Sequence, residues 1–200
     1  AIESAQSYIL LQYYIWRDDQ ISQALLEKIE KKIAAGVSCF LLYDEIGCSH
    51  LKKSYLKKLK ANGVACCGFN SSFGLRFRMQ LNFRNHRKLM LIDGKSALIG
   101  GHNIGKEYFT KTKRFESWRD NQIVISGQAV NALQLSFCED WYWATADVLD
   151  LNWQNAGQFE NGANALILDS GPSDETSRLS LAILEMINSA ESHIYLSTPY

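Results

Sequence analysis

The sequence predicts an α/β fold, a mixed and largely parallel β-sheet flanked by helices on both faces. Three observations carry that prediction. Short runs of aromatic and branched residues alternate with longer segments whose apolar residues recur every three or four positions. Gly, Asn-Gly and Asp-Gly stand between them as turn signals. The alternation of strand and helix calls for right-handed crossovers, and so for helices that cover the sheet on both sides.

Residues 7–15, SYILLQYYI, form a buried strand because they are aromatic, branched and short. Asp18 or Asp19 caps a helix through about residue 35, on which Ile21, Leu25, Ile29 and Ile33 recur every four residues, and Gly36 ends it. Residues 37–43 are a second strand, residues 50–61 a lysine-rich amphipathic helix, and residues 64–69 a third strand after Asn62-Gly63. Residues 70–85 place Arg76, Arg78 and Arg84 among aromatics and amides with no clean period, and read as a loop leading to a site. Two short apolar runs, 87–93 and 96–99, are joined by the tight-turn signal Asp93-Gly94. Residues 121–125 are another strand, and the helix after it buries Val130, Leu133, Phe137 and Trp141. The spacing of Trp141, Tyr142 and Trp143 favours core packing over contact with lipid headgroups. Residues 151–164, rich in Gly and Asn, read as a connection between a first unit, 1–150, and the start of a second, 165–200.

An internal repeat supports that division. Residues 2–11, IESAQSYILL, match residues 187–196, INSAESHIYL, at six of ten positions, 185 residues apart. A second copy of the fold is expected to start near residue 173 and to be cut off after one helix and one strand.

With 46% hydrophobic and 12% aromatic residues, the 200-residue chain can bury a substantial core. Its 21 basic residues balance 21 acidic ones, which gives no case for a general nucleic-acid binder, so any phosphate site has to be local. Cys39, Cys48, Cys66, Cys67 and Cys138 show neither a C-x-x-C pair nor histidines at zinc-like spacing. No metal is therefore expected, and reduced thiols are. No apolar run approaches the ~20 residues of a membrane span. The chain starts with Ala1 rather than Met, which leads to the expectation of upstream sequence that includes any membrane anchor.

The chemistry is carried by His86-Arg87-Lys88, then Asp93, then Gly100-Gly101-His102-Asn103. On a strand, residues two apart share a side, so His86 and Lys88 project together and Arg87 faces away. An imidazole with an ordinary pKa near ~6.5 is partly neutral at physiological pH and can attack phosphorus, while an adjacent ammonium steadies charge on the non-bridging oxygens. Gly100 and Gly101 remove side chains where backbone has to approach a phosphate, and Asn103 can donate an amide hydrogen bond to it. By the same parity Asp93 faces away from His86 and is expected to order the motif loop. His50 sits in a polar loop and is expected to be exposed, and His193 to be structural, in a strand position matched by Tyr8.

This joint spacing resembles the phospholipase D superfamily, whose H-x-K-x4-D signature is followed by a G-G/S-x-N tail. The surrounding segments are similar to those of the bacterial cardiolipin synthases: NFRNHRKLMLIDGKSALIGGHNIGKEY at 82–108, SWRDNQIVISGQAV at 117–130, FCEDWYW, LQYYIWRDD and LLYDEIG. His102 and Lys106 depart from the family pattern, which more often has an apolar residue and an acid at those positions.

The resemblance implies a phospholipase D-like α-β-α sandwich. It implies His86 as the nucleophile or its general acid/base partner, Lys88 and Asn103 as phosphate ligands, and Asp120 as a hydrogen-bond partner that fixes the His86 tautomer. The implied reaction joins two phosphatidylglycerol molecules into cardiolipin through a phosphohistidine and releases glycerol, with no cofactor. Implied partners are the phospholipid substrate, a membrane surface, and a second motif half, supplied by the same protein or by a homodimer partner. The implied setting is the bacterial inner membrane, with this domain facing the cytoplasm. If the second half repeats the first, its motif histidine lies near position ~271, one repeat offset beyond His86. Two rival readings are a phospholipase D or nuclease-type phosphodiesterase assembled from two single-motif chains, and a catalytically silent lipid-binding module.

Overall fold

Six short runs become strands of one sheet: β1 (Tyr8–Tyr13), β2 (Ser38–Asp44), β3 (Val64–Phe69), β4 (Leu89–Ile92), β5 (Ser96–Gly100) and β6 (Gln122–Ser126). Their order is β3-β2-β1-β4-β5-β6. The computed structural model describes residues 1–69, 84–110, 118–154, 162–171, 174 and 176–196. The chain divides into two units, Ala1–Ala165 and Leu166–Tyr200, and the sheet belongs to the first.

The sheet is mixed, as expected, and its two halves differ for a physical reason. The pairs β1–β2 and β2–β3 are parallel, since each is joined through a helix. The pairs β1–β4, β4–β5 and β5–β6 are antiparallel. Asp93-Gly94 joins β4 to β5 directly, and so short a connection can only reverse the chain. Both turn residues lie in the left-handed region, Asp93 at φ 53° and Gly94 at φ 66°.

The crossover helices are α1 (Gln20–Ala34) and α2 (Lys53–Ala61), and α3 (Ala129–Thr145) follows β6. The side chain of Asp19 accepts from the Ile21 and Ser22 backbone N–H groups to cap α1, and Gly36 turns the chain out of it at φ 90°. Alternate residues of β1 sort the layers. Ile9, Leu11 and Tyr13 pack with Leu26 and Ile29 of α1 and with Tyr55 and Leu59 of α2. On the opposite face Tyr8 donates to Gln134 and Gln12 to Asp140, both on α3. All of β1 is buried, which marks it as the central strand.

The apolar stripe of α1 is rotated from the expected one: Leu26 and Ile29 are buried, while Ile21, Leu25 and Ile33 are only partly so. A strict four-residue repeat drifts by about 40° per turn on a helix of 3.6 residues per turn, so it cannot hold one face. On α3 all four expected residues, Val130, Leu133, Phe137 and Trp141, are buried, and Trp141 meets Phe40 edge-on at 5.5 Å. Core packing holds for Trp141 alone, because Tyr142 and Trp143 are exposed, with Trp143 stacked on Phe69.

The second unit contains α4 (Arg178–Asn188). Residues 190–196 were expected to include a strand and are irregular instead, with His193 exposed beside Ser192. A strand exists only within a ladder, and none is described for this segment. The loop expected at 70–85 lies outside the described residues except for Arg84 and Asn85, and so does much of the connection expected at 151–164. Among the described residues no helix is long and apolar enough to cross a membrane.

Candidate active site

Because β4 runs antiparallel to β1, the residues that lead into β4 lie beside those that leave β1. Parallel pairing of β1 with β2 brings Asp44 to the same end. Tyr14, Asp44, His86 and Lys88 thus converge where the parallel strands end, the usual place for a ligand site in an open α/β sheet.

His86 and Lys88 sit just before β4, and their side chains meet. Lys88 Nζ lies 3.0 Å from His86 Nδ1 and donates to the His86 carbonyl oxygen at 2.5 Å. The Tyr14 ring backs both residues, 4.5 Å from the imidazole between centroids, with the ammonium 5.4 Å from the ring centre. Arg84 donates to the Tyr14 hydroxyl at 3.2 Å. Partial burial and then the Lys88 charge hold the His86 pKa below its ordinary value, against the pull of Asp44. Burial lowers Lys88 to about 8, against the opposing charges of Asp120 and Asp44. The surroundings therefore favour the neutral imidazole and weaken the hold of Lys88 on its proton.

Beneath this pair lies a buried polar layer. Asp44 accepts from Ile46 and Gly47 N–H on one oxygen and from Asn85 N–H on the other. Asp140 Oδ2 accepts from Gln12 Nε2, Asn85 Nδ2 and Arg87 Nη1 at 2.6–2.7 Å. Arg87 faces away from His86, as strand parity requires, and its charge is spent on Asp140.

The tail residues are placed less simply. Asn103 is buried, with Oδ1 accepting from Ile15 N–H at 2.9 Å and Nδ2 donating to the Tyr108 hydroxyl at 2.9 Å. Its second amide hydrogen has no partner among the described residues. Gly100 and Gly101 make room for the chain itself. A Cβ at Gly100 would overlap the Asn121 carbonyl, and one at Gly101 the Asp120 carboxylate. Asp120 differs from expectation, since its oxygens accept from Asn121 N–H and Trp118 Nε1 rather than from His86. The β5–β6 register, Gly100 opposite Gln122, seats Asp120 over Gly101, and from there its charge acts on Lys88. Asp93 lies at the other end of β4, about 17 Å of extended chain from Lys88. Its carboxylate accepts from the N–H groups of Gln6, Ser7 and Tyr8, each at 2.8 Å.

The family described as "Cardiolipin synthase, PLD-like domain" matches residues 1–141. The chain belongs to this family. It is 40% identical over its whole length to cardiolipin synthase A of Pseudomonas aeruginosa and 42% identical to that of Pseudomonas putida. It spans 41% and 42% of those proteins. Among solved structures it resembles Nuc, a phospholipase D family member from Salmonella typhimurium, at a TM-score of 0.51 and 17% identity, covering 72% of this chain and 84% of that one. It also resembles the phosphatidylserine synthase of Haemophilus influenzae at a TM-score of 0.52 and 16% identity, covering 70% and 33% of the two chains. Both likenesses show the α-β-α fold.

Within this cardiolipin synthase-like domain, sequence reasoning missed Tyr14, Asp44, Asn85 and Asp140. All four lie in or beside segments that carry the family resemblance, LQYYIWRDD, LLYDEIG, NFRNHRK and FCEDWYW, yet none belongs to the motif. A signal for Asp44 was present, the first of two acids, Asp44-Glu45, that end an apolar run.

Proposed function

We propose that the full-length protein is a phosphatidyltransferase that makes cardiolipin from two phosphatidylglycerol molecules, and that His86 and Lys88 supply one half of its active site. The observation that carries this reading is the contact of the His86 imidazole with the Lys88 ammonium at the end of the parallel strands, inside a cardiolipin synthase-type domain.

While Lys88 donates to Nδ1, a neutral imidazole keeps its proton on Nε2. A phosphodiester is the stronger acceptor and draws the ammonium onto its non-bridging oxygens, with the remaining Asn103 amide hydrogen beside it. The released imidazole nitrogen then attacks phosphorus; if the second motif supplies the nucleophile, His86 instead enters as the imidazolium and gives its proton to the leaving oxygen. In the first half-reaction an N–P bond forms, the P–O bond to glycerol breaks, and the glycerol oxygen takes a proton from the opposite histidine. In the second, that histidine takes the proton of the incoming phosphatidylglycerol hydroxyl, whose oxygen displaces the imidazole from phosphorus. Asp120 keeps Lys88 charged, and Asp93 holds the motif in place. The second histidine comes from the rest of the protein or from a second copy, and the lipid is met at the cytoplasmic face of the inner membrane.

The test is His86→Ala in the full-length protein, with transfer of phosphatidyl groups and the melting temperature measured together. Turnover is expected to vanish with the melting temperature unchanged, since Leu89, Met90, Leu91 and Ile92 keep the β4 core. Near-normal transfer, or unfolding of the domain, refutes the assignment.

A further inference from the structure

We infer that Asp44, Asn85 and Asp140 form a clamp that sets the direction of His86. This rests on the reading of His86 as catalytic, and it assigns a task to three residues outside the motif. Asn85 is buried and directly precedes His86. Its side-chain oxygen accepts from the Arg87 N–H at 3.2 Å, closing an Asx-turn with His86 at its centre, so the turn fixes where the imidazole points. The rest of Asn85 is held from two sides. Its backbone N–H donates to Asp44 at 3.0 Å and its amide nitrogen to Asp140 at 2.7 Å.

Neither anchor is free to move. Asp44 ends β2 and is pinned by the Ile46 and Gly47 N–H groups, and Asp140 lies on α3, pinned by Gln12 of β1 and by Arg87. Two strands of the sheet and one helix are thereby tied to the residue before His86. Such rigidity has a catalytic purpose, because a reacting group displaced by about 1 Å loses on the order of a hundredfold in rate. Asp44 has a second effect. Of the charged groups acting on His86, Lys88 opposes the imidazolium and Asp44 favours it; of those acting on Lys88, Asp120 and Asp44 both favour the ammonium. The Tyr14 ring, held by Arg84, faces both without a charge of its own. Asp44, Asn85 and Asp140 are positioning residues, since none reaches the reacting atoms.

The experiment compares Asn85→Ala, Asp44→Asn and His86→Ala in the full-length protein for kcat, KM, pH profile and melting temperature. Asn85→Ala keeps the backbone bond to Asp44 and opens the Asx-turn, so kcat is expected to fall about 10- to 100-fold with KM nearly unchanged. Asp44→Asn removes the charge that favours the imidazolium, so the acidic limb of kcat/KM is expected to move to lower pH. A purely structural role lowers the melting temperature and leaves that limb in place. If Asp44→Asn does not fold, the Asn85→Ala ratio of kcat to KM decides alone. Loss of turnover in His86→Ala beside wild-type kcat in Asn85→Ala, or an unmoved limb in folded Asp44→Asn, overturns the clamp only. Full activity in His86→Ala overturns the catalytic reading and the clamp with it.

Discussion

The aspartate of the signature, Asp93, makes its contribution to folding, and replacing it separates stability from chemistry. Its carboxylate accepts three backbone N–H groups and ties the β4–β5 turn to the residues that enter β1. A hydrogen bond to a charged acceptor contributes ~1.5–3 kcal/mol where burial is complete. Only the Tyr8 bond is buried, so it counts for about 2 kcal/mol. Water can replace the acceptor at exposed Gln6 and Ser7, which brings each of those bonds to ~1 kcal/mol. Placing Ala at φ 53° adds ~1 kcal/mol of backbone strain. Asp93→Ala is thus expected to lose ~5 kcal/mol, a drop of about 10–20 °C for a domain of this size. Asp93→Asn tolerates the left-handed backbone and keeps one acceptor oxygen, so about half of that loss is expected. The assay is thermal unfolding of the purified protein together with turnover per folded molecule, measured below the transition. A folded Asp93→Asn protein with a wild-type melting temperature and no turnover would refute the reasoning and place this carboxylate on the substrate.

Two further predictions concern the electrostatics of the motif. Lys88 holds its proton below about 8, so most of the phosphate attraction is present at neutral pH and kcat/KM should fall as pH rises through that value. Removing the Asp120 charge as Asp120→Asn should move this alkaline limb to lower pH, because that charge now favours the ammonium; a limb that stays put in the pH profile contradicts the placement of Asp120. Gly101→Ala should expel the Asp120 carboxylate from its seat and shift the limb in the same direction with some loss of melting temperature, whereas an unchanged pH profile and melting temperature would show that the seat is not needed.

What could be read from the sequence divides along the range of the interactions. Parity along one strand put His86 and Lys88 together and sent Arg87 and Asp93 elsewhere, and each of these placements needs only the two-residue period of extended chain. The four residues on α3 needed only its helical period. Asn85, by contrast, is polar and stands in a stretch without period, so nothing local distinguished it from a loop residue. Its importance comes from Asp44, 41 positions earlier, and Asp140, 55 positions later.

Asp120 shows the same limit from the other side. An acid opening the strand after a motif is well placed to reach a histidine in general, but which atom it reaches depends on the register of β5 against β6. Gly100 opposite Gln122 is a long-range fact, and it turns Asp120 onto Gly101 and toward Lys88. The two glycines were read as places where backbone approaches a phosphate, and the groups that crowd them in the structure belong to the chain itself. Reading Gly101 together with Asp120 would have required knowing that pairing first. In a motif built where the strands of a sheet end, then, the reactive groups are encoded locally, whereas the charges and turns that aim them are encoded in strand order.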